Sequence, residues 1–169
     1  TDGNNCISAL TVVITEPPPL IVNATPSDAL CANASDGSVF TSTSGGVSPY
    51  SYSWNVGGST TSSLSGIPAG NYTVTVRDAN GCIQSSTSVV SQPSALLLQP
   101  GTITNVNCSG GADGSASIIP SGGTPSYQYS WSPSGGSSAT ASGLIAGNYS
   151  VTLTDANNCQ TLLSISISE

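Results

Sequence analysis

The sequence repeats itself. Residues 31–82 align with 108–159 without a gap at an offset of 77, and 24 of the 52 aligned positions are identical. The shared pattern runs Cys, Asp-Gly-Ser, Gly-Gly, Tyr-x-Tyr-Ser-Trp, Ser-Gly, Ala-Gly-Asn-Tyr-x-Val-Thr, Asp-Ala-Asn, Cys. Repetition at a fixed period means one small unit built more than once. A partial third copy opens the chain, because residues 1–16 (TDGNNCISALTVVITE) match 154–169 (TDANNCQTLLSISISE). The chain begins and stops at the same phase, so the expectation is a window on a longer array. The expected organisation is 1–18 as the closing strand of a preceding, truncated repeat plus a Pro linker, then 19–94 and 95–169 as two full repeats. The junctions carry Pro17-Pro18-Pro19, Pro93 and Pro100. Proline removes a ladder donor and fixes φ, so it ends strands and stiffens linkers.

Strands are expected from alternation bounded by turn residues. In the first repeat these are 20–25, 38–44, 50–55, a weak Ser-rich region at 60–66, 71–77 and 83–90. Equivalents follow 77 residues later. Tyr72, Val74 and Val76 share one face, and Asp78-Ala79-Asn80-Gly81 reads as a turn. Six or seven short strands in each repeat fit a small immunoglobulin-like sandwich. The expected fold is therefore all-β, with tandem small sandwiches strung like beads. Leu64-x-x-Ile67-x-x-Gly70-x-Tyr72 has the form of a tyrosine corner, and Trp54 sits where such folds keep a core Trp. Tyr149 and Trp131 are their twins, so all four are expected in the cores. Composition agrees, since 33 Ser and 18 Thr among 169 residues suit exposed strand faces and not helices.

The absences exclude chemistry. The chain has one base, Arg77, eight acids and no His, for a net charge of −7. Without His there is neither a Ser-His-Asp nor a Cys-His nucleophile, and no imidazole ligand. Without Lys there is no Schiff base and no P-loop. One Arg makes no nucleic-acid surface, and an acidic balance repels phosphates. No apolar run approaches the 20 or so residues of a membrane span. The expectation is a non-enzyme with no catalytic residues, no cofactor, no metal, no nucleic-acid partner and no membrane insertion in this segment.

Two cysteines in each repeat suggest disulfides in an exported protein. The expected pairs are Cys31–Cys82 and Cys108–Cys159, with Cys6 assigned to neither. The rival pairing crosses the linker, as Cys6–Cys31 and Cys82–Cys108. It is disfavoured because the Asp-Ala-Asn-Gly-Cys turn should lie at the end of its domain far from the linker. Free thiols are the third alternative.

The run from Cys through Gly-Gly-x-x-x-Tyr-x-Tyr-Ser-Trp and Ala-Gly-Asn-Tyr-x-Val-Thr to Asp-Ala-Asn-x-Cys resembles the SprB repeat. The resemblance covers both repeats and the opening fragment. It implies very large cell-surface adhesins of Bacteroidetes, some used in gliding motility, with many repeats in series. It supplies no catalytic or ligand-binding residues.

Three local features have two readings each. Trp54, Trp131 and the Tyr-x-Tyr pairs would stack on sugars if exposed; alternation instead puts Tyr50, Tyr52 and Trp54 on a core face, opposite Ser51 and Ser53. Asp36-Gly37 and Asp78 to Gly81 offer oxygen ligands to Ca²⁺, but each repeat has few carboxylates and turn chemistry accounts for them. Asn-x-Ser/Thr triplets at Asn23, Asn33, Asn71, Asn107 and Asn148, with the many hydroxyls, offer glycosylation sites, but so Ser- and Thr-rich a chain produces several such triplets by chance. The functional expectation is an extracellular, cell-surface spacer and multivalent adhesive segment. Its partners are neighbouring repeats, like chains in a fibre, and extracellular surfaces or glycans. The alternative is a carbohydrate-binding module appended to a secreted enzyme.

Overall fold

The computed structural model describes residues 3, 4, 6, 7 and 9–169, and no helix occurs among them. Twelve strands form. Those of the first sandwich are β1 (Ile21–Ser27), β2 (Gly37–Ser44), β3 (Ser51–Trp54), β4 (Ser63–Ile67), β5 (Gly70–Arg77) and β6 (Ile83–Val90). Those of the second are β7 (Leu97–Thr104), β8 (Gly114–Ser121), β9 (Gln128–Ser132), β10 (Thr140–Leu144), β11 (Gly147–Thr154) and β12 (Gln160–Ile167).

Each sandwich has two antiparallel three-stranded sheets, ordered β1-β2-β4 and β3-β5-β6 in the first, β7-β8-β10 and β9-β11-β12 in the second. These correspond to the A-B-E and C-F-G sheets of an immunoglobulin-type sandwich without its D strand. The Ser-rich stretch after β3 contributes only β4, which is why six strands form and not seven. β5 shows how the sequence sets the layers. Tyr72, Val74 and Val76 are buried while Asn71 and Arg77 are exposed, as the two-residue period of a strand requires.

Trp54 pairs across the sheet with Val74 and is 5% exposed; its twin Trp131 is 7% exposed. Each indole N–H donates to a backbone carbonyl, of Thr61 at 2.9 Å and of Ser138 at 2.9 Å, so neither ring buries an unmet donor. Tyr72 and Tyr149 are buried, and their hydroxyls reach back four residues to the carbonyls of Pro68 (2.7 Å) and Ile145 (3.0 Å). That is the tyrosine corner, tying the crossover between sheets to the core. Val22, Val39 and Val90 complete the first core; Val106, Ile118, Val151, Ile165 and Ile167 are prominent in the second.

The opening segment differs. Among the described residues of 1–16 no strand forms, and Leu10, Val12 and Ile14 are exposed. Residues 1, 2, 5 and 8 of the expected closing strand lie outside the described residues.

Two predictions follow from the first core. Thr41 is buried, and its hydroxyl has no hydrogen-bond partner among the described residues. Removing an unmet buried hydroxyl recovers its desolvation cost, so Thr41→Val should stabilise the first sandwich by about 1 kcal/mol. Trp54→Ala should destabilise it by about 3–5 kcal/mol through the cavity it leaves. Denaturant unfolding of the first sandwich in the full chain measures both, and a neutral or destabilising Thr41→Val would contradict the first.

Candidate functional site at the junction between sandwiches

The residues that converge at one place lie between the two sandwiches. They come from the β1–β2 loop of the first, the linker 91–96, and the β11–β12 turn of the second.

The turn is built on a buried carboxylate. Asp155 is 3% exposed, and its oxygens accept backbone N–H groups of Thr124 (2.8 Å), Asn157 (2.9 Å) and Cys159 (2.9 Å). Asp78 does the same in the first sandwich, accepting from Val47 (2.9 Å) and Cys82 (2.8 Å). Charge-assisted bonds of this kind favour the ionised form. The Val47 N–H is the main influence holding Asp78 below the usual carboxylate range, and the Thr124 N–H plays that part for Asp155. The same oxygens are thereby occupied, so these aspartates serve the turn.

The linker is pinned at both sides. Gln92 Oε1 accepts the Asn33 N–H at 2.8 Å, and Asp28 Oδ1 accepts the Ser91 N–H at 2.8 Å, fastening it to the first sandwich. The Gly123 N–H donates to the Ser94 carbonyl at 2.9 Å, fastening it to the second. Gly122 lets the chain come this close. Its φ is +70°, and a Cβ there would stand 2.0 Å from the Ala95 carbonyl oxygen. Gly45 is its counterpart against Pro19.

Across this junction Cys31 is bonded to Cys159, with the Cα atoms 5.8 Å apart. Beside the bond, Asn157 Nδ2 donates to the Leu30 carbonyl at 2.9 Å. The disulfide joins different repeats, which corrects the expected Cys31–Cys82 and Cys108–Cys159 pairs. Cys82 and Cys108 are exposed and unbonded. The reason is the length of a sandwich. Ser44 pairs with Ile21 at one end of β1, and Ser38 pairs with Ser27 at the other. The Asp78 turn is held to Val47, just beyond Ser44. Cys31 follows Ser27, next to the Ser91 end of the linker, through Ala29 and Asp28. The seven-residue β1 separates them, roughly 20 Å at the strand rise, whereas a disulfide needs Cα atoms within about 7 Å. The second sandwich repeats the layout, with the Asp155 turn held to Thr124 beyond Ser121, the partner of Leu97, and Cys108 after Thr104 at the other end of β7, so Cys108 and Cys159 are kept apart in the same way.

The tyrosines brace the Gly-Gly doublets. Tyr50 and Tyr127 donate their hydroxyls to the carbonyls of Gly45 (2.6 Å) and Gly122 (2.6 Å), and Tyr52 reaches Thr43 Oγ1 at 3.4 Å. Asp36 accepts the Leu30 N–H at 3.2 Å and Asp113 the Asn107 N–H at 3.2 Å, so these too close local turns. Sequence reading weighed Asp-Ala-Asn as turn chemistry against a calcium site. It missed the reach of Asn157 to the neighbouring sandwich, and Gln92 as a linker clamp. The recurrence of Asn80 at the place of Asn157 was the available signal.

Residues 23–59 and 101–136 match the family model of the SprB repeat. Both sandwiches thus contain a segment similar to the SprB repeat. Each matched segment holds the loop cysteine and the core Trp, Cys31 with Trp54 and Cys108 with Trp131. No curated protein matches the sequence. Among solved structures, the C-terminal 282-residue fragment of intimin, crystallised with the intimin-binding domain of its translocated receptor, is similar at 13% identity. Its TM-score is 0.47, over 92% of this chain and 65% of that one. The N-terminal eight Ig domains of Down syndrome cell adhesion molecule align at 16% identity and TM-score 0.41, over 89% of this chain and 24% of theirs. A further Dscam structure aligns at 14% and 0.38, over 88% and 46%. This chain spans less than two thirds of each.

The buried aspartates predict a pH dependence. A carboxylate whose folded pKa is depressed contributes stability that is fully present above its unfolded value, near pH 4, and is lost as pH falls through the lower folded value. Stability should therefore hold from neutral pH to about 5 and fall below about 4. The Asp78→Asn/Asp155→Asn double variant should lose most of that slope in thermal unfolding followed across pH. An unchanged slope would assign acid sensitivity to other carboxylates.

Proposed function

We propose that this chain is a spacer and adhesive segment of a long extracellular surface protein, in which repeats are held in line by fastened junctions. The observation that carries the reading is the junction. A covalent bond, a side-chain hydrogen bond across the gap and a linker clamped on both sides all act between consecutive repeats. Domains joined by a flexible linker need none of these, and relative motion is the usual default. A stiff series holds weak contact sites away from a surface and presents many at once, so that avidity replaces affinity. The SprB repeats support placement at a cell surface, and a disulfide suits an oxidising compartment. On this reading residues 1–18 belong to a preceding repeat, as their match to the closing segment 154–169 suggests.

The carbohydrate-module reading asks for an exposed aromatic platform. Trp54 and Trp131 are buried, and the hydroxyls of Tyr50, Tyr72, Tyr127 and Tyr149 are spent on backbone carbonyls. The exposed ring among the described residues is Phe40, at 62%, and one ring on β2 among Ser, Thr and scattered aliphatic side chains is no platform, which supports the adhesive and spacer role over sugar stacking.

Small-angle scattering of the oxidised 169-residue chain tests this. Two repeats in line should give a maximum dimension of roughly 80 Å, from strands of about eight residues plus loops and a linker. Reduction should widen the distribution of dimensions. A compact, folded-back particle under oxidising conditions would overturn the proposal.

A further inference from the structure

The offset of 77 that relates the repeats also relates their cysteines. Cys108 stands where Cys31 stands, and Cys82 where Cys159 stands. Cys31 and Cys159 are bonded to each other across the junction, while Cys82 and Cys108 face solvent at the two outer ends of the pair of sandwiches.

The local backbones are equivalent. In both turns the Asp N–H donates to the Cys carbonyl at 3.0 Å, Asp78 to Cys82 and Asp155 to Cys159. In both, the Cys N–H returns to the same aspartate, at 2.8 Å and 2.9 Å. In both β1–β2-type loops the residue three beyond the cysteine donates to its carbonyl, Ala34 to Cys31 at 3.2 Å and Gly111 to Cys108 at 2.9 Å. The residue two beyond has positive φ, 60° at Asn33 and 77° at Gly110. Even the clamp recurs, since Gly110 N–H reaches Glu169 Oε2 at 3.3 Å where Asn33 reaches Gln92. Asn80 occupies the place of Asn157, and the Leu30 atom that Asn157 contacts is a backbone carbonyl, which Asn107 offers equally.

We propose that Cys82 and Cys108 are the two halves of a second copy of the junction disulfide. The loop cysteine of each repeat bonds the turn cysteine of the repeat that follows, and the array carries one disulfide for every junction. For this chain alone the occupant is a second copy placed head to tail, with Cys108 of one copy bonded to Cys82 of the next. The inference deepens the spacer reading by naming the partner surface at each end.

Bond formation is an oxidation, and a small-molecule disulfide is the oxidant class. The thiolate of one protein cysteine attacks a sulfur of the oxidant and releases one thiol. The second protein thiolate then attacks the protein sulfur of that mixed disulfide and releases the other. Two electrons pass from the protein sulfurs to the oxidant, and the two protons end on the two released thiols.

The test uses the full chain in a buffer of reduced and oxidised glutathione. Every variant carries Cys6→Ser, because Cys6 holds the turn position in the partial copy. With Cys82 and Cys108 both present, a ladder of multimers should form. Cys82→Ser alone and Cys108→Ser alone should each stay monomeric. Their equimolar mixture should give about tenfold more disulfide-linked dimer than either alone, because matched surfaces raise the effective thiol concentration. Mass analysis should place the link between Cys108 and Cys82. Equal dimer yields from the single variants, through Cys82–Cys82 or Cys108–Cys108 links, would overturn the inference. So would the absence of dimer in the mixture while Cys31–Cys159 is intact. Scattering of those monomers separates the outcomes: an elongated monomer leaves the spacer reading standing, and a folded-back one removes it as well.

Discussion

Asp78 and Asp155 put negative charge where almost no solvent reaches, and the rest of the junction depends on how that charge is met. The chain's one basic side chain, Arg77, is exposed. The charge is met by backbone N–H groups instead. Buried ions are tolerated when their hydrogen-bonding capacity is filled. Filling it here fixes the φ and ψ of the turn, and the turn in turn aims a cysteine out of the sandwich. A lone buried carboxylate thus converts a flexible hairpin tip into a rigid connector. The connector also needs a linker lying flat on the neighbouring Gly-Gly doublet, since Gly45 and Gly122 leave no room for a side chain.

Much of this architecture was legible in the sequence. Alternation in β2, β5 and β6, and their twins β8, β11 and β12, marks a half-buried strand directly. Trp54, Tyr72, Trp131 and Tyr149 carry enough apolar surface that few other places suit them. The Ser-rich stretch before β4 was ambiguous because hydroxyl residues sit as well in turns as on exposed strand faces. The cysteine pairing was not legible, for a geometric reason. In a repeat protein the same spacing describes a bond within one unit and a bond to the next. Only the direction of each strand says which end of the sandwich a cysteine occupies. β5 ends where β1 begins, because the Asp78 turn is held to Val47 beyond Ser44, the partner of Ile21, so Cys31 and Cys82 lie at opposite ends. Asn157 and Gln92 were missed because a polar residue in a turn or linker has an adequate local explanation until its neighbour is known.

Composition takes on a sharper meaning beside the structure. With so few charges, each sandwich holds its surface in water through hydroxyls and amides. Pairs such as Thr73 with Thr87 (2.9 Å) and Thr75 with Ser85 (3.0 Å) line the outer face of β5 and β6. Cross-strand hydroxyl pairs of this kind add a little to sheet stability without any ionic contribution, and they are indifferent to salt, unlike surface ion pairs.

The disulfide between Cys31 and Cys159 also decides where tension runs. Pull on the segments before β1 and after β12, and the covalent route goes through β1, across the sulfur bridge, and out along β12. Strands β2 to β11 lie inside a closed ring and are not on that route. The two cysteines are 128 positions apart, so the ring stores slack on the order of 400 Å at about 3.3–3.6 Å per residue. That slack stays locked while the sulfurs remain joined. Reduction releases it, so the redox state of one bond sets whether the pair of sandwiches is an inextensible link or a long, yielding tether.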